Sequence, residues 1–222
     1  MQPIQNSLRS IGVNQTTPAT GPAGSASHVV FSEDDSKLIA SIKGDPKNPG
    51  FLAVFDVSSD GSLSENFAKI SAPQGGALPF GMAVIQGKNA LLATDAGIGF
   101  DIIDLSNVNS NDKNSSNSKD VAVEVKDQKA VCWAAHSGKT GSFYLTDIGT
   151  SKVTEVSVDD NLQAKIVNVS LLHRKFLLYV VILNLVLLSN TSRLRTLLPL
   201  TTTLLRLTTK SKSHSFTTCL YN

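Results

Sequence analysis

Histidine and arginine are scarce in the first 160 residues, which contain only His28, His136 and Arg9 of these two types. An imidazole titrates near neutral pH and can serve as a general acid or base. His28 begins a short apolar run and is the candidate catalytic residue, although a histidine that packs or forms a hydrogen bond at a strand end gives the same pattern. His136 follows an apolar run and is more typical of a structural histidine.

Acidic residues offer a second kind of chemistry. Asp95 and Asp147 both lie in a Thr-Asp-x-Gly sequence, which suits either a metal-binding carboxylate or a turn in which Asp caps its own loop. The turn is the favoured interpretation. Glu124 lies in an alternating run and is either a base or, the preferred interpretation, a solvated carboxylate. Glycine pairs such as Gly75-Gly76 precede no helical pattern, so neither a cofactor site nor a metal site is predicted.

These side chains lie within a repeat of about fifty residues. Three segments each contain an apolar strand, a polar turn, a second strand and an alternating third strand: 27–63, 81–106 and 132–159. No helical pattern interrupts residues 1–160. Strand–turn–strand units at this period indicate β-propeller blades. The predicted fold class is therefore all-β, a partial β-propeller with about three blades near 27–70, 80–125 and 131–160.

Corresponding residues of the three units indicate which side chains share a place in the blades. Three hydroxyl residues match at spacings of 53 and 52 residues: Ser41, Thr94 and Thr146. The alignment also matches His28 with Met82 and Trp133. Because the first strand of a blade borders the central channel, His28 is expected at the channel. Asp101 and Asp104 alternate with apolar residues in a third strand and are expected to reach solvent.

Charge is unevenly distributed along the chain. All 18 acidic residues and 12 of the 20 basic residues lie within 1–160, so this part carries −6 and residues 161–222 carry +8. The second part also contains 17 leucines, 9 threonines and no glycine. The negative body excludes a nucleic-acid-binding patch there, and the basic part has few aromatic residues for base stacking. No nucleic-acid partner is predicted.

Residues 168–222 are predicted to form a Leu/Thr-rich basic tail outside the propeller, either disordered or helical. The apolar run 176–188 is shorter than the ~20 residues that a spanning helix needs. Membrane association is therefore the weaker interpretation, and a core element is weaker still. The favoured interpretation is an aberrant sequence from a retained intron or a shifted frame, because Val169-Ser170 fits the codons GTA-AGT.

Residues 1–24 are interpreted as an interblade loop or a truncated start, without a charged-then-apolar signal segment. The chain as given is therefore expected in the cytoplasm. Asn14 and Asn114 begin Asn-x-Ser/Thr sequences in polar loops and are glycosylation candidates for a secreted intact protein. Further copies of the motif begin at Asn168 and Asn190. The two cysteines exclude a disulfide-dense scaffold, and Cys132 is expected to be free and buried.

Four stretches carry a family resemblance: NQTTP at 14–18, SHVVFS at 27–32, SKLIASIKG at 36–44 and PGFLAVF at 49–55. They resemble the fungal 3-carboxymuconate cyclase-like proteins of the lactonase superfamily of seven-bladed β-propellers. The resemblance covers about 1–167 and implies that the chain supplies about three of seven blades. It also implies similarity to 6-phosphogluconolactonases, and an extracellular or cell-surface, glycosylated intact protein.

The resemblance leaves three functions open. The leading hypothesis is a fragment of a lactonase or carboxymuconate cyclase-like propeller that is inactive as given. The second is an isomerase or lactone hydrolase acting on a carboxylated lactone or muconate, with His28 as acid or base. The third is a non-catalytic secreted propeller that binds protein or glycan. Cyclase-type relatives use a His, Arg and Glu set, from which this chain departs because Arg9 precedes the first blade. The expected partner is a small carboxylated substrate.

Overall fold

The computed structural model describes residues 7–13, 24–45, 47–108 and 119–171. Within these ranges the chain forms twelve β-strands and no helix. The strands are β1 Ser25–Phe31, β2 Lys37–Lys43, β3 Phe51–Asp56, β4 Ala68–Ser71, β5 Pro79–Ile85, β6 Ala90–Asp95, β7 Gly99–Asp104, β8 Val121–Glu124, β9 Val131–His136, β10 Phe143–Asp147, β11 Lys152–Val158 and β12 Ala164–Leu171. The described residues contain no helix long and apolar enough to cross a bilayer.

The strands form three antiparallel sheets of four strands each, in the order of the chain. We call them the first sheet (β1–β4), the second sheet (β5–β8) and the third sheet (β9–β12). Each strand pairs with the next through a short connection, which is the blade architecture that the repeat predicts. The predicted fold class, an all-β partial propeller, is confirmed.

A β-bulge interrupts the first strand of every sheet at a corresponding place. The register shifts between Ala26 and His28 in β1, between Pro79 and Met82 in β5, and at the Thr146–Asp147 pairing of β9 with β10. A bulge leaves one residue unpaired and turns its backbone groups away from the ladder. At the bulges of β5 and β9, the carbonyl oxygens of Phe80 and Cys132 accept hydrogen bonds from the neighbouring sheet.

Apolar side chains fill the two joints between the sheets. The first joint contains Ile39 and Val54 of the first sheet and Leu91 of the second. The second joint contains Phe100 of the second sheet and Leu145 of the third. All five side chains are fully buried, and each such burial stabilises the fold by roughly 1.5–3 kcal/mol. Alternate residues of the second sheet thus pack in opposite directions.

The expectation that Asp101 and Asp104 reach solvent is wrong. Their side chains are only 1% and 4% exposed. Alternation indicates a solvated face only when one face of a sheet is covered, and the second sheet is covered on both faces. Asp104 is buried at the end of β7, where its Oδ1 accepts hydrogen bonds from the N–H and Oγ of Ser106.

Strand β12 extends to Leu171, beyond the predicted end of the propeller at residue 167. Asn168, Val169 and Ser170 pair with β11, and Leu171 lies opposite Lys152. The rest of the predicted tail, including the apolar run 176–188, lies outside the described residues. The division into propeller and tail stays a prediction, and so does the interpretation of residues 1–24.

Candidate functional site

The first strands of the three sheets lie side by side, β1 next to β5 and β5 next to β9. We call this common border the inner edge. It brings His28 close to Trp133, with ring centroids 6.0 Å apart in an edge-to-face arrangement. Phe80 packs against the same indole, with centroids 5.1 Å apart. Trp133 is 39% exposed, so the inner edge presents an aromatic surface to solvent.

Two backbone contacts hold His28 at the inner edge. Its Nδ1 accepts a hydrogen bond of 3.0 Å from the N–H of Met82 in the neighbouring sheet. Its own N–H donates to Ser41 Oγ at 3.1 Å. Because Nδ1 accepts, the proton of the neutral ring is on Nε2. Burial lowers the pKa of His28, so at neutral pH the ring is an uncharged donor, better suited to giving a hydrogen bond than to removing a proton.

The residue of the second sheet that corresponds to His28 is Gly81, not Met82 as the alignment predicted. Gly81 N–H donates to Thr94 Oγ1 at 2.8 Å, just as His28 N–H donates to the hydroxyl of its own sheet. The bulge in β5 shifts the match by one residue. A Cβ at Gly81 would lie 2.5 Å from the carbonyl oxygen of Cys132. The close approach of the third sheet therefore requires glycine.

The matching hydroxyls join neighbouring sheets. Ser41 Oγ donates to the carbonyl oxygen of Phe80 at 2.6 Å, and Thr94 Oγ1 donates to that of Cys132 at 2.8 Å. Both hydroxyl residues are fully buried. Thr146 has the corresponding place in the third sheet and is 7% exposed, but its hydroxyl makes no hydrogen bond within the described part of the chain. We call the two contacts between sheets, from Ser41 to Phe80 and from Thr94 to Cys132, hydroxyl joints.

Asp95 and Asp147 fix the connections that lead into the first strands of their sheets. Asp95 Oδ2 accepts from the N–H groups of Ala77 and Leu78 at 2.6 and 2.8 Å, and Oδ1 accepts from Gly97 at 2.7 Å. Asp147 holds the corresponding amides before β9 and in its own turn. Three or more N–H donors on one carboxylate match the turn interpretation. Among the described residues, no group of three His, Cys, Asp or Glu side chains could hold a metal ion.

A buried carboxyl pair lies in the first joint. Neither carboxylate oxygen of Asp101 has a hydrogen-bond donor, and burial, followed by the charge of Asp95, raises the pKa of Asp101 well above its usual range. The raised pKa favours the protonated form of Asp101, in which the carboxyl group donates to Asp95. The fully buried Lys43 places its ammonium 5.2 Å from the centre of the Phe80 ring. Burial lowers the pKa of Lys43, and the charge of Asp95 opposes that shift.

Sequence reasoning missed Asp101 because a charged residue in an alternating strand suggests solvent. The repeat contains a signal that could have identified it. Asp101 corresponds to Ala53 in the first sheet and Thr154 in the third, one residue after the partners of the matching hydroxyls. Ala53 and Thr154 are 0% and 1% exposed, so this place in the repeat is an interior one.

None of the other sequence candidates joins His28. The His136 ring packs on Phe143, with centroids 4.8 Å apart, which fits the structural interpretation. Glu124 ends β8 and is exposed. Arg9 donates through Nε and Nη2 to two carbonyl oxygens of the β3–β4 connection, at 2.9 and 2.8 Å. Its guanidinium is therefore held outside the inner edge.

The glycosylation candidates Asn14 and Asn114 lie outside the described residues. Asn168 is exposed on β12, and its Nδ2 donates to Ser170 Oγ at 3.2 Å. Cys132 is buried as expected, but the expectation of a free thiol is wrong because this residue is in a disulfide. Burial alone does not decide the oxidation state of a cysteine. Cys219 lies outside the described residues.

No protein-family model and no curated protein matches the sequence. A periplasmic gluconolactonase of Pseudomonas aeruginosa is similar in structure, with a TM-score of 0.54 and 15% identity over 68% of this chain and 43% of that one. A putative 6-phosphogluconolactonase of Bacteroides uniformis has a TM-score of 0.47 and 14% identity over 65% and 43%. The chain thus spans less than half the length of either protein. The first likeness shows that the sheets have a lactonase-like propeller fold.

Proposed function

We propose that this chain forms part of a lactone hydrolase of the propeller type, and that its inner edge binds a small sugar lactone. One observation carries the proposal: the inner edge combines an oriented, neutral Nε2–H donor on His28 with the partly exposed ring of Trp133. A fold similar to that of a gluconolactonase supports it. We also propose that the chain is a fragment of a longer propeller, because its match covers only 43% of the gluconolactonase chain.

Lactone hydrolysis adds water to the ring carbonyl carbon and breaks the ring C–O bond. The water oxygen becomes part of the new carboxyl group, and its protons end on the acid and the released alcohol. Negative charge develops on the carbonyl oxygen in the tetrahedral intermediate. An uncharged Nε2–H donor from His28 stabilises that oxygen without competing for the proton, which is how preorganised donors accelerate acyl transfer.

The position of Arg9 favours an uncharged sugar lactone over a muconate with several carboxylates. Recognition of a carboxylate is a task for the planar guanidinium fork. Arg9 is the single arginine among the described residues, and backbone carbonyls of the β3–β4 connection hold it. Trp133 instead offers an aromatic face on which a pyranose ring can lie.

A second candidate function is binding without turnover. It is favoured by the environment of His28, because Nδ1 is occupied by the Met82 amide and cannot accept a proton from water. A non-catalytic propeller would use the same inner edge to hold a saccharide or a peptide group. Binding and hydrolysis are separable because Trp133 is the only tryptophan of the chain, so its fluorescence reports occupancy of the inner edge alone.

The test uses the full 222-residue chain. Hydrolysis of δ-gluconolactone is followed by proton release above the spontaneous rate, and binding of the non-hydrolysable δ-gluconolactam by Trp133 fluorescence. We expect His28→Ala to lower kcat/KM by at least tenfold, in line with the loss of an oxyanion donor. His28→Gln, which keeps a side-chain N–H, is expected to retain part of that activity.

His136→Ala is the matched control, because His136 also lies on the first strand of a sheet, at the end of β9, but its ring packs on Phe143. It should leave kcat/KM within about twofold, as expected for a side chain without substrate contact. Binding of the lactam without hydrolysis would support the binding function and overturn the enzymatic one. Absence of both signals from a folded chain would overturn the whole proposal.

A further inference from the structure

The hydrogen bonds around His28 form a closed ring that joins the first and second sheets. The N–H of His28 donates to Ser41 Oγ at 3.1 Å, and this hydroxyl donates to the carbonyl oxygen of Phe80 at 2.6 Å. Two residues after Phe80, the N–H of Met82 donates to His28 Nδ1 at 3.0 Å and closes the ring. Apart from the imidazole, the ring contains one side chain, the hydroxyl of the fully buried Ser41.

The bulge in β5 lets this strand offer two backbone groups to the first sheet. The register of β5 with β6 shifts between Pro79 and Met82, so the backbone of Phe80 is not paired with β6. In a strand, the carbonyl of one residue and the N–H of the residue two positions later point the same way. Because both groups belong to one strand, a displacement of the Phe80 carbonyl also displaces the Met82 amide.

The Ser41 hydroxyl holds β1 and β5 together at this place. A second acceptor, the carbonyl oxygen of His28, lies 3.4 Å from Oγ, so the hydroxyl proton points to Phe80 at 2.6 Å. The hydroxyl accepts a hydrogen bond from one sheet and donates one to the other, and such a chain strengthens both bonds. Without the hydroxyl, the Met82 amide loses a contact that keeps it beside Nδ1.

The second joint contains the same hydroxyl arrangement without an imidazole. Thr94 Oγ1 accepts from the N–H of Gly81 at 2.8 Å and donates to the carbonyl oxygen of Cys132 at 2.8 Å. Gly81 has no side chain, so the Thr94 hydroxyl joins two sheets and orients no ring. Thr94 is therefore the internal reference for Ser41, and the difference between the two joints is the imidazole.

We propose that Ser41 is a positioning residue that, through the Met82 amide, holds the His28 imidazole in one orientation as the Nε2–H tautomer. Nδ1 accepts from this amide, so the proton of the neutral ring lies on the other nitrogen. A ring without this donor populates both tautomers. The catalytic consequence rests on the lactone hydrolysis proposed above, in which a preorganised donor stabilises the oxyanion. The tautomer itself does not depend on any activity.

Nitrogen-15 NMR of the full chain at pH 8 measures the tautomer. In the natural chain we expect one protonated and one unprotonated ring nitrogen for His28, assigned by their loss in His28→Ala. Ser41→Ala should bring the two signals together, because both tautomers of the neutral ring are then populated. Ser41→Thr keeps the hydroxyl and should keep the signals apart, since threonine occupies the corresponding places of the other two sheets.

Thr94→Val is the control for loss of a hydroxyl joint alone. It removes two comparable hydrogen bonds from the second joint and should leave the His28 signals unchanged. Circular dichroism checks folding, and trimethylamine N-oxide, which favours compact states, is added to all variants to offset the lost bonds. Separate His28 signals in folded Ser41→Ala, or merged signals in Thr94→Val, would overturn the proposal.

Kinetics with δ-gluconolactone test the catalytic consequence. Ser41→Ala should lower kcat by about threefold to tenfold and change KM by less than about twofold, because an oxyanion donor acts mainly in the transition state. In the His28→Ala background, the same substitution should change kcat/KM by less than about twofold, since Ser41 acts through the imidazole. An additive loss in the double variant contradicts the positioning role. A natural chain without hydrolysis contradicts the function proposed above, and the NMR signals then still decide the role of Ser41.

Discussion

The internal joints and the terminal faces of the sheets use the same places in the repeat with different results. Met82 is 2% exposed in the first joint, whereas Val29, at the corresponding place of the first sheet, is 53% exposed. The Thr94 hydroxyl is bonded across the second joint, whereas Thr146 has no such bond within the described residues. The difference shows that each sheet contains the features of a joint on both faces, whether or not a neighbour covers them. Substitutions at corresponding places should therefore distinguish the free energy contributed by packing between sheets from that contributed by a residue within its own sheet.

The largest effect is expected where the two backbones come closest. Gly81→Ala places a methyl group 2.5 Å from the carbonyl oxygen of Cys132, so the second joint must open, at a cost of about 3 kcal/mol in the free energy of unfolding. Gly138→Ala is the control, because a Cβ there meets no atom within 4 Å. Urea unfolding measures both. Equal losses would mean that the joint does not depend on this approach.

Truncation of corresponding apolar residues should destabilise the chain more at a joint between two sheets than at a terminal face. Met82→Ala creates a cavity in the first joint and is expected to lower the free energy of unfolding by about 2 kcal/mol. Val29→Ala removes a half-exposed side chain and should cost less than about 0.5 kcal/mol. Both values come from urea unfolding of the full chain. A loss at Val29 as large as that at Met82 would show that the first sheet is already covered.

The hydroxyl places offer a smaller and more specific contrast. Thr94→Val leaves the Gly81 N–H without an acceptor and the Cys132 carbonyl without its donor, which should cost about 1.5 kcal/mol. Thr146→Val loses no described hydrogen bond and should cost less than about 0.5 kcal/mol. Differential scanning calorimetry compares the two. Equal melting temperatures of the two variants would show that the hydroxyl bond across the second joint does not stabilise the chain.

The carboxyl pair makes the first joint sensitive to pH. Since the pKa of Asp101 is raised in the folded chain, its contribution to stability is present at acidic pH and is lost as the pH rises through that raised value. Asp101→Asn keeps a donor toward Asp95 and removes the titration, so we expect the variant to be more stable than the natural chain by about 1 kcal/mol at alkaline pH.

Urea unfolding from pH 5 to pH 9 measures this slope. Asp60→Asn is the control, because Asp60 is exposed and its pKa is lowered by hydrogen bonds to Ser62. A group with a lowered pKa loses its contribution only in acid, below this range. An unchanged slope in Asp101→Asn would show that another group titrates in the joint.

The sequence predicted what depends on local pattern and spacing. Strand order, the three repeated units and the matching hydroxyls follow from side-chain alternation and a period of about fifty residues. The turn interpretation of Asp95 and Asp147 succeeded for their bonds to Gly97 and Gly149, two residues further along the chain. These features need no knowledge of how the sheets pack. The turn interpretation did not include the amides 17 and 18 residues earlier that the same carboxylates hold.

Features that depend on contacts between two sheets could not be predicted from the pattern of residues within one strand. The burial of Asp101 follows from coverage of both faces of the second sheet, which alternation within β7 does not reveal. The match of His28 to Gly81 depends on a bulge that shifts the register by one residue. The acceptor on His28 Nδ1 is the amide of Met82, 54 residues away in the chain. The role of the imidazole as a donor could therefore be derived only from the three-dimensional contacts.

The aspartate clamps also bear on the order in which the chain matures during synthesis. Asp95 and Asp147 each lie 18 residues after the first amide that they hold. At about 5–20 residues per second on the ribosome, each connection emerges roughly a second or more before the carboxylate that fixes it. The first strand of a new sheet thus stays loosely attached until its second strand follows. We therefore expect each sheet to dock on the previous one only after its first two strands have paired, so that the chain folds blade by blade during synthesis.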